Sequence, residues 1–127
     1  MYTEAMFSNR IRIIALSLTR RMMESVRKSP ADYKKDTLEY CEAMYYIIQE
    51  MSAERLTEVV QAVREGYEEI GFVDDALIAD SLMSLALAEY QNEIGEENIY
   101  DLHWTQLVEG FFKADAQTSA SCISFEQ

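Results

Sequence analysis

Residues 7–26, FSNRIRIIALSLTRRMMESV, indicate the fold class of this chain. The apolar residues of this stretch recur three and four positions apart, which is the spacing of one face of an α-helix. They are Phe7, Ile11, Ile14, Leu18, Met22 and Val26. This pattern predicts a long amphipathic first helix that runs from Tyr2 to about Lys28.

A second face of the same helix is basic. At about 100° per residue, these side chains fall outside the apolar stripe, in a neighbouring arc. They are Arg10, Arg20, Arg21, Arg27 and Lys28. Because Ile13 interrupts the basic side, we expect the helix to contact something on two sides, either another segment of the chain or a partner.

Charge is divided unevenly along the 127 residues, which carry a formal net charge of -12. Residues 1–35 contain eight basic and three acidic residues, a net +5, and the remaining 92 contain three basic and twenty acidic residues, a net -17. An acidic surface speeds encounter with basic proteins and imitates the phosphates of nucleic acid. The charge division therefore favours a basic partner.

Four more helices are predicted after the first. Ser29 and Pro30 in SPAD predict the N-cap and first residue of a helix that runs to about Met51, and Ser52 caps a third helix that ends at Gly71. Their inner stripes are Leu38, Cys41, Tyr45 and Ile48, then Leu56, Val59, Val60, Val63, Tyr67 and Ile70. The run ALIADSLMSLALAEY, residues 76–90, is apolar on nearly all sides, which predicts a central and buried fourth helix.

A fifth helix is predicted from about Ile99 to about Asp115, after a loop around Gly95. We therefore expect an all-α fold, a single compact domain of about five helices over residues 1–115. Residues 116–127 lack a periodic pattern and are predicted to be a flexible C-terminal tail.

Several functional classes are disfavoured by composition. No apolar run reaches the ~18 residues of a transmembrane helix. The cysteines, Cys41 and Cys122, follow no secretory signal, so free thiols and a cytoplasmic location are expected. The single histidine, His103, excludes a ferritin-like di-iron site and a typical zinc site. No glycine-rich phosphate loop or nucleophile motif is present, so no catalytic residue is assigned.

Two pairs of glutamates give an enzymatic alternative with Mg²⁺ as cofactor. Glu39 and Glu42 share one face of the second helix, and Glu65 and Glu68 share one face of the third, so antiparallel helices could gather four carboxylates around Mg²⁺. The spacing resembles the Glu-x-x-Glu and Glu-x-x-Asp pattern of the all-α MazG-type nucleotide pyrophosphohydrolases. The resemblance implies Mg²⁺-dependent hydrolysis of a nucleoside triphosphate, with Glu68 in place of the final Asp.

Acidic residues and tyrosines of the second and third helices form the candidate partner-binding surface. Tyrosine adds a large rigid contact area and a hydroxyl group to such a surface. The candidate residues are Asp36, Glu39, Glu42, Glu50, Glu54, Glu58, Tyr40 and Tyr46.

The leading hypothesis is a non-enzymatic protein that regulates or inhibits a basic partner, such as a nucleic-acid-binding protein. A homodimer is also expected, in which the basic face of one chain meets the acidic face of another. A second alternative is direct nucleic-acid binding through the basic first helix. It is weakened because the acidic remainder of the chain repels phosphates.

Overall fold

The computed structural model describes residues 1–95, and all regular structure in that range is helical. The elements are α1 (Glu4–Lys28), a short 3-10 turn (Pro30–Asp32), α2 (Thr37–Glu50), α3 (Ala53–Glu69) and α4 (Asp75–Ile94). They pack as a compact domain, which confirms the all-α class. Within residues 1–95, no helix is long and apolar enough to cross a lipid bilayer. The predicted fifth helix, His103, Cys122 and the tail at 116–127 lie outside the described residues.

Helix α1 packs against each of the other three α-helices. Its N-terminus is capped by Thr3, whose side chain accepts a hydrogen bond from the backbone N–H of Met6 at 3.1 Å. Its buried residues are Phe7, Ser8, Ile11, Ala15, Leu18, Thr19, Met22, Met23 and Val26. The predicted apolar stripe is confirmed, except that Ile14 is only half-buried.

The second helix begins later than predicted. Ser29 makes no side-chain capping bond, and the 3-10 turn that follows it ends at Tyr33, which is extended (φ -126°, ψ 157°). Helix α2 begins only at Thr37, the first buried position after Val26. The prediction of a helix from Pro30 was wrong because residues 29–36 have no buried side chain that could hold a longer helix against α1.

Helix α3 starts and stops as predicted. The Ser52 side chain accepts a hydrogen bond from the backbone N–H of Arg55 at 3.1 Å. Gly71 adopts a left-handed conformation (φ +74°), and the N–H groups of Gly71 and Phe72 bond the carbonyls of Glu68 and Tyr67, each at 3.0 Å. This pattern is a Schellman motif, which needs a residue that tolerates positive φ.

Helix α4 buries one face, and its opposite face is half-buried except at the exposed Leu85. The buried residues are Ile78, Ala79, Leu82, Met83, Ala86, Leu87 and Gln91. The opposite face carries Leu77, Ser81, Leu85 and Ala88 at helical spacing, and none of these side chains is charged. The central position of α4 stays a prediction, because it depends on a fifth helix beyond residue 95.

Candidate partner-binding surface

The basic face of α1 is largely engaged within the chain. Arg10 forms an ion pair with Asp75 at 2.5 Å, and Arg27 lies 3.7 Å from the Glu42 carboxylate. Arg20 donates a hydrogen bond to the Tyr45 hydroxyl at 2.7 Å, and its guanidinium lies 5.6 Å from the centre of that ring. Arg21 and Lys28 are exposed on the same helix. Within residues 1–95, Arg10, Arg20 and Arg27 therefore contact other helices of the domain.

Arg12, which the sequence analysis did not select, caps the end of α2. Its guanidinium donates to the backbone carbonyl of Gln49 at 3.0 Å and to that of Met51 at 2.6 Å. The last carbonyls of a helix lack intrahelical partners and lie at the negative end of its dipole, so a cation there is favourable. The sequence gives only a weak signal for this role, an arginine directly after the stripe residue Ile11.

Two arginines of α3 are also engaged within the domain. Arg55 forms an ion pair with Glu89 of α4. Arg64 donates to Glu68 at 3.1 Å, and its guanidinium lies 4.5 Å from the centre of the Phe7 ring on α1. Both side chains therefore connect α3 to a neighbouring helix.

The outer face of α2 gathers half of the predicted acidic surface. Glu39, Glu42, Tyr46 and Glu50 are all exposed, and their spacing places them on one side of the helix. Tyr46 is 65% exposed, with a glutamate four residues before it and another four residues after it. This arrangement is an exposed aromatic ring bordered by carboxylates.

Tyr40 and Asp36 differ from that group. Tyr40 is half-buried and packs edge-to-face on Tyr90, with ring centres 6.0 Å apart. The Tyr90 hydroxyl donates to the Glu39 carboxylate. Asp36 is exposed at the start of α2 and forms no side-chain capping bond. The structure thus assigns Tyr40 mainly to packing.

The outer face of α3 carries a row of four exposed glutamates, which we call the acidic stripe: Glu54, Glu58, Glu65 and Glu69. Their spacing of four, seven and four residues places them on one helix face. Within residues 1–95, none of these carboxylates forms a salt bridge. Glu54 and Glu58 were predicted from the sequence as partner-binding residues and Glu65 as a metal ligand of the alternative site. Glu69 was in neither set, although its spacing of four residues from Glu65 was available as a signal.

The structure does not bring the four glutamates of the Mg²⁺ hypothesis together. Glu39 accepts from Tyr90, Glu42 lies near Arg27, and Glu68 is bonded to Arg64 on its own helix. Among residues 1–95, no three His, Cys, Asp or Glu side chains lie close enough to share a metal ion.

Cys41 lies on the inner face of α2 and is fully buried. The pKa of the Cys41 thiol is raised to about 12, mainly by burial and to a smaller extent by the nearby Glu42, while Arg27 offsets part of the shift. The thiol is therefore protonated at neutral pH, and because only the thiolate is a good nucleophile, Cys41 belongs to the core.

An apolar groove of about 300 Å³ opens between α3 and α4. It is lined by Ala62, Val63, Gly66, Tyr67, Ile70 and Ser81. The Tyr67 hydroxyl lies 3.1 Å from the Ser81 hydroxyl, so one hydrogen bond joins the two walls. Ile70, predicted to be the last inner residue of α3, is instead 72% exposed.

No protein-family model, no curated protein and no solved structure matches this chain. The functional conclusion therefore rests on the geometry and charge described above.

Proposed function

We propose that this chain is a non-enzymatic interaction protein whose acidic helical surface binds a basic partner, which it thereby regulates or inhibits. One observation carries the proposal: the acidic stripe forms no salt bridge within residues 1–95, whereas most arginines in that range contact other parts of the chain. The arginines of residues 1–95 are thus largely used in the fold. We assign the carboxylates of the stripe to another molecule.

The stripe has a physical disadvantage for the isolated chain. Like charges four residues apart on a helix destabilise it by about 0.2–0.5 kcal/mol per pair, and the stripe contains two such pairs. A concentrated negative field also raises the rate at which a basic protein is captured. Faster capture of a basic partner would offset the cost of this repulsion between the glutamates.

Tyr46 supports the same proposal on α2. Its ring is 65% exposed and lies among Glu39, Glu42 and Glu50. Rigid aromatic side chains supply much of the binding energy at protein interfaces, whereas surrounding carboxylates supply orientation and charge complementarity. Tyr46 is therefore the aromatic contact that we assign to the partner.

The two other functions have less support. Nucleic-acid binding through α1 needs free cations, but Arg10, Arg20 and Arg27 are engaged inside the chain. Pyrophosphohydrolase activity needs a carboxylate cluster that residues 1–95 do not form. A rise in melting temperature on adding Mg²⁺, abolished by Glu39→Ala, would restore that alternative.

Three finer predictions from the sequence belong to the proposal as well. They are a cytoplasmic location, a homodimer, and a central α4 within about five helices.

The test is a pull-down from a lysate of the source cells, run with nuclease and read by mass spectrometry. Three baits are compared: the wild-type chain, a stripe variant with Glu54, Glu58, Glu65 and Glu69 changed to Gln, and a control variant. The control neutralises four exposed carboxylates elsewhere, through Glu4→Gln, Glu24→Gln, Asp32→Asn and Glu93→Gln.

The expected result is one basic protein that resists nuclease, is retained by the wild type and the control, and is lost from the stripe variant. Equal retention by the stripe variant would contradict the proposal. Recovery of nucleic acid, or of proteins that disappear with nuclease, would instead favour the basic first helix.

A further inference from the structure

Gly66 is a residue that the described fold does not need. It lies inside α3, where glycine is less stable than alanine by roughly 0.5–1 kcal/mol. Its φ is not positive, and within residues 1–95 an added Cβ would meet no atom within 4 Å. Neither the backbone conformation nor the packing of residues 1–95 requires a glycine at position 66. The open space beside Gly66 therefore has no explanation in the described fold.

That open space is the groove between α3 and α4. Its walls are apolar apart from the Tyr67 and Ser81 hydroxyls, which bond each other. Apolar exposure continues into the loop after α3, where Ile70 is 72% exposed and Phe72 is 56% exposed. Exposed apolar side chains beside an apolar groove are typical of a binding site.

The groove has one acidic edge. Glu65 and Glu69 follow Ala62, a groove residue, by three and seven positions, so the three share one side of α3. The facing side of α4 is uncharged, with Leu85 45% exposed beyond Ser81. An occupant must therefore be apolar on the side that enters the groove and basic on the side above α3.

We propose that the groove binds an amphipathic helix of the basic partner, whose apolar residues enter the groove and whose Lys or Arg residues contact Glu65 and Glu69. The inference rests on the function proposed above and adds the place and the chemistry of recognition. Helices commonly dock in this way, with residues at positions i, i+3, i+4 and i+7 as anchors. Gly66 then leaves space for one of those anchors.

Two synthetic peptides test the proposal on the full-length chain. One is an amphipathic Leu/Lys helix of about 18 residues, five turns long. The other is an oligolysine with the same number of charges. Binding is followed through the backbone amide NMR signals of positions 62, 66 and 81, in the wild type, in Gly66→Leu and in Ser17→Leu. The last variant is a control that adds the same side chain at an exposed position of α1.

We expect the Leu/Lys helix to shift the three groove signals and to bind about tenfold more tightly than oligolysine, since burying even one leucine supplies such a factor. Gly66→Leu should remove that advantage and Ser17→Leu should keep it. If both peptides bind equally and the groove signals stay in place, the groove proposal fails while the acidic-surface proposal stands. If neither peptide binds at low salt, both fail.

Discussion

Helices α1 and α3 are both amphipathic and both charged on their outer sides, yet they use charge in opposite ways. The arginines of α1 reach across to α2 and α4, where they contact a carboxylate, a phenol or backbone carbonyls. The acidic stripe of α3 forms no salt bridge within residues 1–95, although the charge of Glu58 helps to raise the pKa of the nearby Arg55. Positive charge therefore contributes to the fold, and we assign negative charge to recognition.

The contrast has a geometric cause. Helix α1 packs against α2, α3 and α4, so long side chains at the edges of its buried face meet a neighbouring helix. Arginine suits these positions because its planar group can bond a carbonyl, pair with a carboxylate or stack on a ring. The stripe lies on the side of α3 that faces away from its buried residues, Leu56 and Val60.

Arg12→Ala should give the largest loss of stability among changes to the charged residues of α1. The change removes two hydrogen bonds from a charged donor to the end of α2 and should lower the free energy of unfolding by about 2–3 kcal/mol. Urea denaturation measures the effect. Lys28→Ala, at the exposed end of the same helix, is the control and should change stability by less than about 0.5 kcal/mol. Equal effects would show that Arg12 has no special role.

Gly66→Ala should act in the opposite direction and stabilise the chain. Alanine fits the helix without a clash and restricts the unfolded chain, so the free energy of unfolding should rise by about 0.5–1 kcal/mol. Thermal denaturation gives the measurement. A loss of stability would mean that Gly66 has a packing role, which would remove one support for the groove.

The ion pair between Arg10 and Asp75 should contribute less. Its partners are 60% and 28% exposed, and such pairs contribute about 0.5 kcal/mol. A double-mutant cycle with Arg10→Ala and Asp75→Ala isolates this coupling energy. A coupling energy of zero would show that the α1–α4 contact depends on packing alone.

Neutralising the acidic stripe should have the smallest effect on stability. The variant with Gln at positions 54, 58, 65 and 69 loses no salt bridge within residues 1–95 and removes two repulsive pairs. Removing the two repulsive pairs stabilises α3, whereas losing the negative charge of Glu54 in its first turn has the opposite effect, so we expect a net change of less than about 0.3 kcal/mol at physiological salt. A clear loss of stability would show that these glutamates stabilise the fold, as the arginines of α1 do.

Much of the architecture of residues 1–95 could be read from the sequence, because it depends on local signals. The α1 stripe, the Ser52 cap and the Gly71 stop each follow from neighbouring residues. The start of α2 could not be read in this way. SPAD forms only one 3-10 turn, since none of residues 29–36 is fully buried against the rest of the domain.

The candidate surface was predictable in part. Exposed glutamates on α2 and α3 follow from helical spacing, and Tyr46 follows with them. The partners of Arg12, Arg20 and Glu39 lie 25 to 51 residues away in the chain, so no local pattern indicates them. The groove beside Gly66 likewise arises from two helices together.

The most direct test is the melting temperature of the wild-type chain and the stripe variant as salt rises from about 0.01 M to about 0.15 M, which shortens the Debye length from ~30 Å to ~8 Å. If the stripe is uncompensated within the chain, the wild-type melting temperature rises with salt and the stripe variant rises less. Parallel curves, or a flat or falling wild-type curve, would show that these carboxylates are already neutralised by the fold.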